Sequence, residues 1–472
     1  NTTGGYNTAI GQWALQDNTT ASNNTAVGYA SLGANTTGDR STAVGSYTLD
    51  AQTAGRFNTA VGYNAGTEVT TGTHNTFLGD SSGATTTTGI NNVAVGQSAL
   101  NANTTASNNT AVGMSALVAN TTGASNTAVG YNALQANTTG ADNTAVGDIA
   151  LSANTTGRDN VAVGRYAGYS GATASRSTFV GAQAGFNVTG DDNVGVGYQT
   201  LNNGTVTGAS NTAIGTQALN NNTTASNNTA VGKDAMRANT TGANNTAVGL
   251  LALTANTTGA SNTAVGTYAL QSATGANNTA VGMDAGDGIT TGLQNVLVGA
   301  SSETSAVGVH NEIVIGYTAV GNGTVTATFG IGATETYIGM GNTSWSGSSD
   351  ERLKENITAS TAGLSFINEL RPVTFNWKTK GDIPSELKGY EEGSDEKYNL
   401  NDKLCHGFVA QEVKEVIDAH PEIGSGHAIW SVKPEGTQAL APSALVPMLT
   451  KAIQELSTQL DAALARITTL EG

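Results

Sequence analysis

Ser349 and Lys354 are the pair in this chain whose types and spacing can do chemistry. They sit in the decapeptide Ser348-Ser349-Asp350-Glu351-Arg352-Leu353-Lys354-Glu355-Asn356-Ile357. A serine hydroxyl is a weak nucleophile until a base takes its proton, and a lysine held out of water loses its own proton and can act as that base. Alone, the spacing fits a solvated charged turn better than a dyad. Other candidates fall away. Cys405 and His406 are adjacent, and neighbouring strand residues point to opposite faces, which leaves no thiol–imidazole pair. Asp148, Asp234, Asp284 and Asp287 do not recur at one position of successive repeats, unlike the acidic residues of calcium-binding rolls. His74 and His310 have no companions at metal-ligand spacing. No metal and no cofactor is expected.

Whatever residues 348–357 do, the bulk of the chain before them is an array. Asn-Thr-Ala-Val-Gly or a close variant returns at every seventeenth position from Asn7 to the neighbourhood of Glu312, nineteen times, slipping by one position only near Asn193 and Asn278. A period this short means one small unit stacked on copies of itself, each burying its apolar side against the next. In the copy Asn126–Asp142, Thr127 to Val129 is β-prone, Gly130 bends the chain, Tyr131 to Leu134 reads as a second extended piece, and Asn137-Thr138-Thr139-Gly140 is turn chemistry. So short a unit cannot hold a β-α-β motif and shows no helical apolar period, so the expectation is a mainly β, parallel β-roll or solenoid. Small Ala and Val suit a thin core, and recurrent Asn can stack into ladders along the axis. Phe77 and Phe179 replace the usual Ala where the register varies. Nineteen rungs at about 4.7 Å predict a rod on the order of 90 Å long. The many Asn-Thr-Thr and Asn-Asn-Thr triplets match the glycosylation pattern, but stacked turn residues produce that pattern automatically.

Composition divides the chain near residue 348. Residues 1–348 hold one lysine, Lys233, six arginines and sixteen acidic residues, a net charge of −9; the rest holds twelve basic and nineteen acidic residues, a net charge of −7. All six prolines lie in the second part, and their absence from the first suits unbroken ladder pairing. Net acidity spread along the array argues against nucleic acid, which needs clustered Lys and Arg. The lone Cys405 excludes an intrachain disulfide and reads as a small buried apolar residue. No run of about 18 apolar residues occurs, so no membrane insertion is expected. Three regions follow: a repeat shaft over residues 1–316, a β-rich neck over 317–348 and a C-terminal module over 349–472. Because the chain opens on Asn1 inside repeat material, an upstream attachment region is also expected.

The repeat resembles the head of trimeric autotransporter adhesins, whose signature is Asn followed by a strand of the type Ser-Val-Ala-Ile-Gly; Asn92-Val93-Ala94-Val95-Gly96 comes closest. That resemblance implies a left-handed β-roll with three chains side by side, although no membrane-anchor barrel follows here. The decapeptide resembles the start of the C-terminal intramolecular chaperone domain of phage tailspikes and tail fibres, the endosialidase type, also found in a membrane-bound animal transcription factor. Three more segments fall in that family's order: Leu370-Arg371-Pro372-Val373-Thr374-Phe375-Asn376-Trp377, Gly407-Phe408-Val409-Ala410-Gln411-Glu412-Val413, and Leu445-Val446-Pro447-Met448-Leu449-Thr450-Lys451-Ala452-Ile453-Gln454-Glu455-Leu456. In this context the dyad becomes the better reading. The resemblance implies a single-turnover serine endopeptidase that cuts its own chain between Ser348 and Ser349 once three chains have assembled, with Ser349 as nucleophile and Lys354 as base. Asp350, Arg352 and Asn356 match the motif as orienting or structural residues. Gly407 and Gln411 read as strand-to-helix packing positions, with a role for Gln411 near the dyad as the alternative.

Independently of any family, Leu449, Leu456, Ala463 and Leu470 repeat at seven, interleaved with Ile453, Leu460 and Ile467. That is an a/d seam over three heptads, in a helix of about residues 445–470, and it points to a homotrimeric coiled coil rather than a core helix. The function expected is a trimeric phage tail fibre on the virion, with a host-surface receptor or glycan and an upstream virion component as partners. A bacterial surface adhesin with the same clamp, or an ice- or polysaccharide-binding roll using the Asn-Thr-Thr rows, are the alternatives.

Overall fold

The computed structural model describes residues 2–332, 334–339, 346–347, 357–387, 390–398, 404–423, 429–432 and 437–471. The chain divides into two compact units, Asn1–Ser348 and Ser349–Gly472.

The first unit is a parallel β-solenoid of nineteen rungs, each contributing one three-residue strand, from β1 (Thr8–Ile10) to β19 (Ile313–Ile315). Consecutive strands pair in parallel and in register, so Thr127↔Thr144 and Val129↔Val146 lie side by side. Rungs that are one residue short or one residue long keep that register, with Thr178 opposite Val194 and Val194 opposite Thr212. The odd residue is absorbed at a corner, where no ladder fixes the count.

Within a rung only Thr127–Val129 is a strand, so the second extended piece expected at Tyr131–Leu134 is absent. That segment is a run of turns with left-handed backbone at Asn132 (φ 52°) and Leu134 (φ 51°). Closing so short a coil requires corners, and these conformations make them. Bonding between rungs nevertheless continues, since Leu134 donates its N–H to Ala150 O at 3.0 Å. Gly130, at φ 136°, makes the sharp bend after the strand, and a Cβ there would meet Gly147 O at 2.4 Å. The core consists of Ala128, Ala133, Leu134 and their equivalents in the other rungs. The Val position is not part of it. Alternation along the strand turns Ala128 inward and both Thr127 and Val129 outward, which leaves a column of β-branched or leucine side chains on the outer face of every rung.

Two columns of asparagine run inside the coil. Asn109 Oδ1 accepts the backbone N–H of Asn126 (3.0 Å), whose own amide donates to Gly140 O (2.9 Å). Asn137 donates to Asn120 Oδ1 (2.8 Å) and to the same Gly140 carbonyl (2.9 Å). All four asparagines are fully buried, and the Asn-Thr-Thr asparagine Asn137 is therefore closed to glycosylation. Where the next rung supplies no side-chain amide, at Gly171 and Ala273, the oxygens Asn154 Oδ1 and Asn256 Oδ1 are left buried without a partner. Glu312 ends the first column. Its N–H still reaches Asn295 Oδ1 (2.9 Å), but its carboxylate accepts from the Ser305 N–H and hydroxyl and from the Gly323 N–H. Beyond it, β20 (Thr326–Ile331) pairs parallel to β19 and antiparallel to β21 (Thr334–Gly339), which in turn pairs with β22 (Ser346–Gly347).

Phe77 and Phe179 are fitted by exchange of volume rather than by a change of register. The leucine position is glycine both in the Phe77 rung (Gly83) and in the rung before it (Gly66); a Cβ at these positions would lie 2.3 and 2.7 Å from the Phe77 ring. Gly185 and Gly168 do the same for Phe179.

The second unit packs α1 (Leu364–Glu369), the hairpin of β23 (Val373–Phe375) and β24 (Cys405–Gly407), α2 (Ala410–Ala419), the hairpin of β25 (Trp430–Val432) and β26 (Gln438–Leu440), and the start of α3 (Val446–Glu471). Its core is Phe366, Leu370, Val413, Ile417, Ile429 and Leu445. Cys405 is half-buried on β24 rather than in this core.

Phe77→Ala is expected to cost about 3–5 kcal/mol by leaving a cavity. Adding Gly83→Leu should recover much of it, because the backbone there (φ 58°) is the one Leu134 adopts. Hydrogen exchange in the flanking rungs reads the result, and strictly additive effects would refute the exchange of volume.

Candidate functional site

Ser348, Ser349, Asp350, Arg352, Lys354 and Asn356 lie outside the described residues. The three further segments singled out in the sequence are within them, and the fold brings all three together. β23 and β24 join the first two, with Val373 opposite Gly407 and Phe375 opposite Cys405. A Cβ on Gly407 would stand 3.3 Å from the Phe375 ring, so Gly407 makes room for a side chain of the paired strand rather than for a helix. Arg371 clasps Glu412 at the first turn of α2 through two parallel bonds, Nε to Oε2 at 2.9 Å and Nη2 to Oε1. This fork geometry holds both groups charged, and the bond from Arg371 pulls the Glu412 carboxyl below its ordinary value against a smaller opposing effect of burial. The third segment enters through Leu445, in the core, and through Glu455, whose Oε2 accepts the Leu364 N–H at 2.8 Å and so caps the start of α1 from α3. That backbone bond is the main cause of the lowered Glu455 pKa, with Lys451 adding to it.

Gln411 is not a packing residue. It is exposed in the first turn of α2 and lines an open cavity of about 670 Å³ together with Trp377, Tyr398, Val409 and Gln438. Two of the segments read from the sequence, those carrying Asn376-Trp377 and Val409-Gln411, thus meet at one cavity. His406 is exposed and Cys405 half-buried on the same short strand. Among the described residues no group of three or more His, Cys, Asp or Glu could hold a metal ion, and no helix is long and apolar enough to cross a membrane.

A buried histidine held between two more exposed carboxylates was not foreseen from the sequence. His420, at the C-terminal end of α2, places Nδ1 2.6 Å from Glu422 Oε1 and Nε2 3.3 Å from Glu369 Oε2, with its ring edge-on to Phe366 at 5.4 Å. Two carboxylates facing two ring nitrogens suit the imidazolium, and the His420 pKa is raised, chiefly by the bond to Glu422 and then by Glu369, against desolvation. No spacing rule would have found it, because Glu369 belongs to a different helix far back in the chain.

The heptad residues are the clearest feature of α3. After Glu455 no residue of the helix is buried. Leu449, Ile453, Leu456, Leu460, Ile467 and Leu470 are 43–86% exposed, and Ala463 is exposed with them. Within the chain α3 is therefore not a core helix past its first turns.

A solenoid of short parallel strands followed by a small α+β module with a bare heptad helix is consistent with a tail-fibre or endosialidase-type architecture. Residues 349–421 match the family model described as chaperone of endosialidase, so the C-terminal unit carries an intramolecular chaperone of endosialidase type. The match begins at Ser349 and ends before β25, β26 and α3, short of the full span read from the sequence. Neither the curated proteins nor the solved structures compared with the chain gave a match.

The raised His420 pKa sets a direction. The triad's contribution to stability is full below the unfolded value near 6.5 and is lost as pH rises through the higher folded value. Hydrogen exchange of the α1 and α2 amides, corrected for intrinsic rate, should therefore accelerate on going from pH 6 to pH 9, and His420→Gln should flatten that dependence. An unchanged profile in the variant would count against the triad.

Proposed function

We propose that the chain is part of a homotrimeric tail fibre whose C-terminal module assembles three chains, sets their register and then cuts itself free. The observation that carries this reading is the uncovered seam of α3. Seven residues at a/d spacing stand in solvent on a helix that buries nothing within the chain after Glu455, whereas most helical stability in proteins comes from packing of the apolar face. Two more copies of the same helix would cover it. The outward column of the solenoid supports the same reading, because solvation gives no reason for nineteen rungs without one polar residue at that position. A rod so uniform also has a registration problem, since each rung of one chain fits many rungs of another. A clamp that trimerises first removes the ambiguity.

The cleavage step rests on the family match, which names a peptidase, and on the Ser349/Lys354 spacing. In this reading Lys354 takes the Ser349 hydroxyl proton as Oγ attacks the Ser348 carbonyl carbon. The Ser348–Ser349 amide bond breaks, the proton passes to the Ser349 nitrogen, and the resulting ester is hydrolysed by water to leave a Ser348 carboxylate. Loss of the clamp would leave the shaft held by its unfolding barrier. In the same reading the fibre sits on the virion and serves host attachment.

On a denaturing gel, purified protein should run as two fragments, one ending at Ser348 and one beginning at Ser349, and Ser349→Ala or Lys354→Ala should leave one band of 472 residues. Light scattering should give a trimer for the uncut Ser349→Ala chain and a smaller species when Leu460 and Ile467 are changed to Glu. Uncut wild type, or an unaltered mass in the seam variant, would overturn the respective part.

A further inference from the structure

Two Asn-Gly pairs occur in the chain, Asn203-Gly204 and Asn322-Gly323, and the fold treats them differently. In a regular rung two residues separate the inward leucine from the next buried corner residue, as Gln135 and Ala136 separate Leu134 from Asn137. In the twelfth rung four do. Asn202, Asn203, Gly204 and Thr205 stand between the buried Leu201 and the buried Val206. Val206 is fixed by a parallel bridge to Val188 of the rung before, and Leu201 donates its N–H to Ala218 O of the rung after at 3.3 Å. The extra residues therefore bulge outward, and Asn203, Gly204 and Thr205 are all exposed. At the tip Gly204 adopts φ 92°, and its N–H makes no hydrogen bond to any described residue. A Cβ there would meet nothing closer than Thr223 Cγ2 at 3.5 Å. Among the described residues the Asn203 side chain makes one hydrogen bond, from Nδ2 to Asn221 Oδ1 at 2.9 Å. Asn322 is exposed as well, but the N–H of its glycine is taken: Gly323 donates to Glu312, the carboxylate that ends the asparagine column.

We propose that Asn203 is a site of spontaneous covalent modification, at which the side-chain amide is exchanged for a carboxylate through a cyclic imide, with water as the co-reactant. The Gly204 nitrogen gives up its proton to solvent base and attacks Asn203 Cγ. A bond forms between that nitrogen and Cγ, the Cγ–Nδ2 bond breaks, and Nδ2 takes up a proton and leaves as ammonia. Water then opens the ring at one of its two carbonyls. Opening at Cγ gives an aspartate, and opening at the main-chain carbonyl of residue 203 gives an isoaspartate, in which the chain runs through the former side chain. Glycine permits the attack because it has no Cβ to obstruct the approach and imposes little restriction on the backbone rotation that ring closure needs. At Gly323 the same attack would first have to break the bond to Glu312. The shaft tolerates the change. The strands on either side of the bulge stay in register, with Val194 opposite Thr212, because the bulge carries none of that ladder. Asn221 can turn its amide to donate to the new carboxylate where its oxygen accepted before. The outcome is a folded rod with an added negative charge at one corner of its twelfth rung, and this inference does not depend on self-cleavage or on the α3 seam.

The test is incubation of the full-length protein at neutral and at mildly alkaline pH, followed at intervals by digestion with an acid protease and peptide mass mapping with fragmentation that separates aspartate from isoaspartate. In the native protein the peptide carrying residue 203 should acquire the amide-to-acid mass change several-fold faster than the peptide carrying residue 322, give both products, and convert faster at the higher pH. In denaturant, where neither the bulge nor the Glu312 bond exists, the two sites should convert alike. Asn203→Gln, which lengthens the side chain and disfavours the ring, should abolish the change at this site with the melting curve as in the parent. The proposal is overturned if native Asn203 keeps its amide as long as Asn322 does, or if conversion in the native protein falls mainly on other asparagines.

Discussion

The shaft depends on one constraint, that buried polar groups in each rung find their partners in the adjacent rungs. Asn126 cannot satisfy its backbone N–H without Asn109 before it, nor its amide without the turn at Gly140 that follows. An unpaired buried group costs about 1–3 kcal/mol, so a coil of this kind is stable only as a member of a stack. Uniformity of sequence follows directly. A rung that drops the asparagine of the second column leaves its neighbour with that cost, as at Asn154 and Asn256, and the first column ends on a different residue. Glu312 serves there because a carboxylate accepts from the turn where an amide would have to donate.

Against so uniform a background, departures carry information. The two phenylalanines inside the coil are matched by glycines in the same and the preceding rung, so the departure is internal and compensated. An aromatic row, Trp13, Tyr29, Tyr47 and Tyr63, has no such compensation and lies on the surface. The aliphatic column never departs at all. These three patterns separate a packing solution, an aromatic surface and a column kept in every rung.

The C-terminal unit is built on different physics. Its small core is held by contacts between segments distant in the chain: the Arg371–Glu412 clasp, the Glu455 cap on α1 and the triad about His420. Each ties an element of the 349–421 module to its neighbour, and Glu455 ties that module to α3, which then runs on bare. The helix is thus anchored at one end and exposed along its seam at the other.

Period and alternation were enough to read the parallel solenoid, the nineteen rungs, the asparagine ladders and the seam, because each is a local rule repeated along the chain. The resemblance of a few short segments was enough to place a chaperone module at Ser349, since those segments carry the packing of that module. What the sequence could not decide was which side of each residue faces inward. Val129 and Ala128 are both small and apolar, and only the closed coil shows that one lines the outside and the other the core. Tyr131–Leu134 reads as extended by residue type, but so short a coil must turn there to return under itself. Gln411 reads as a packing residue and instead faces a cavity, and His420 meets Glu369 from a separate helix. Sequence periodicity reports neighbours along the chain and along the stack, whereas these outcomes were set by closure of the coil and by contacts between segments far apart, which only the tertiary structure decides.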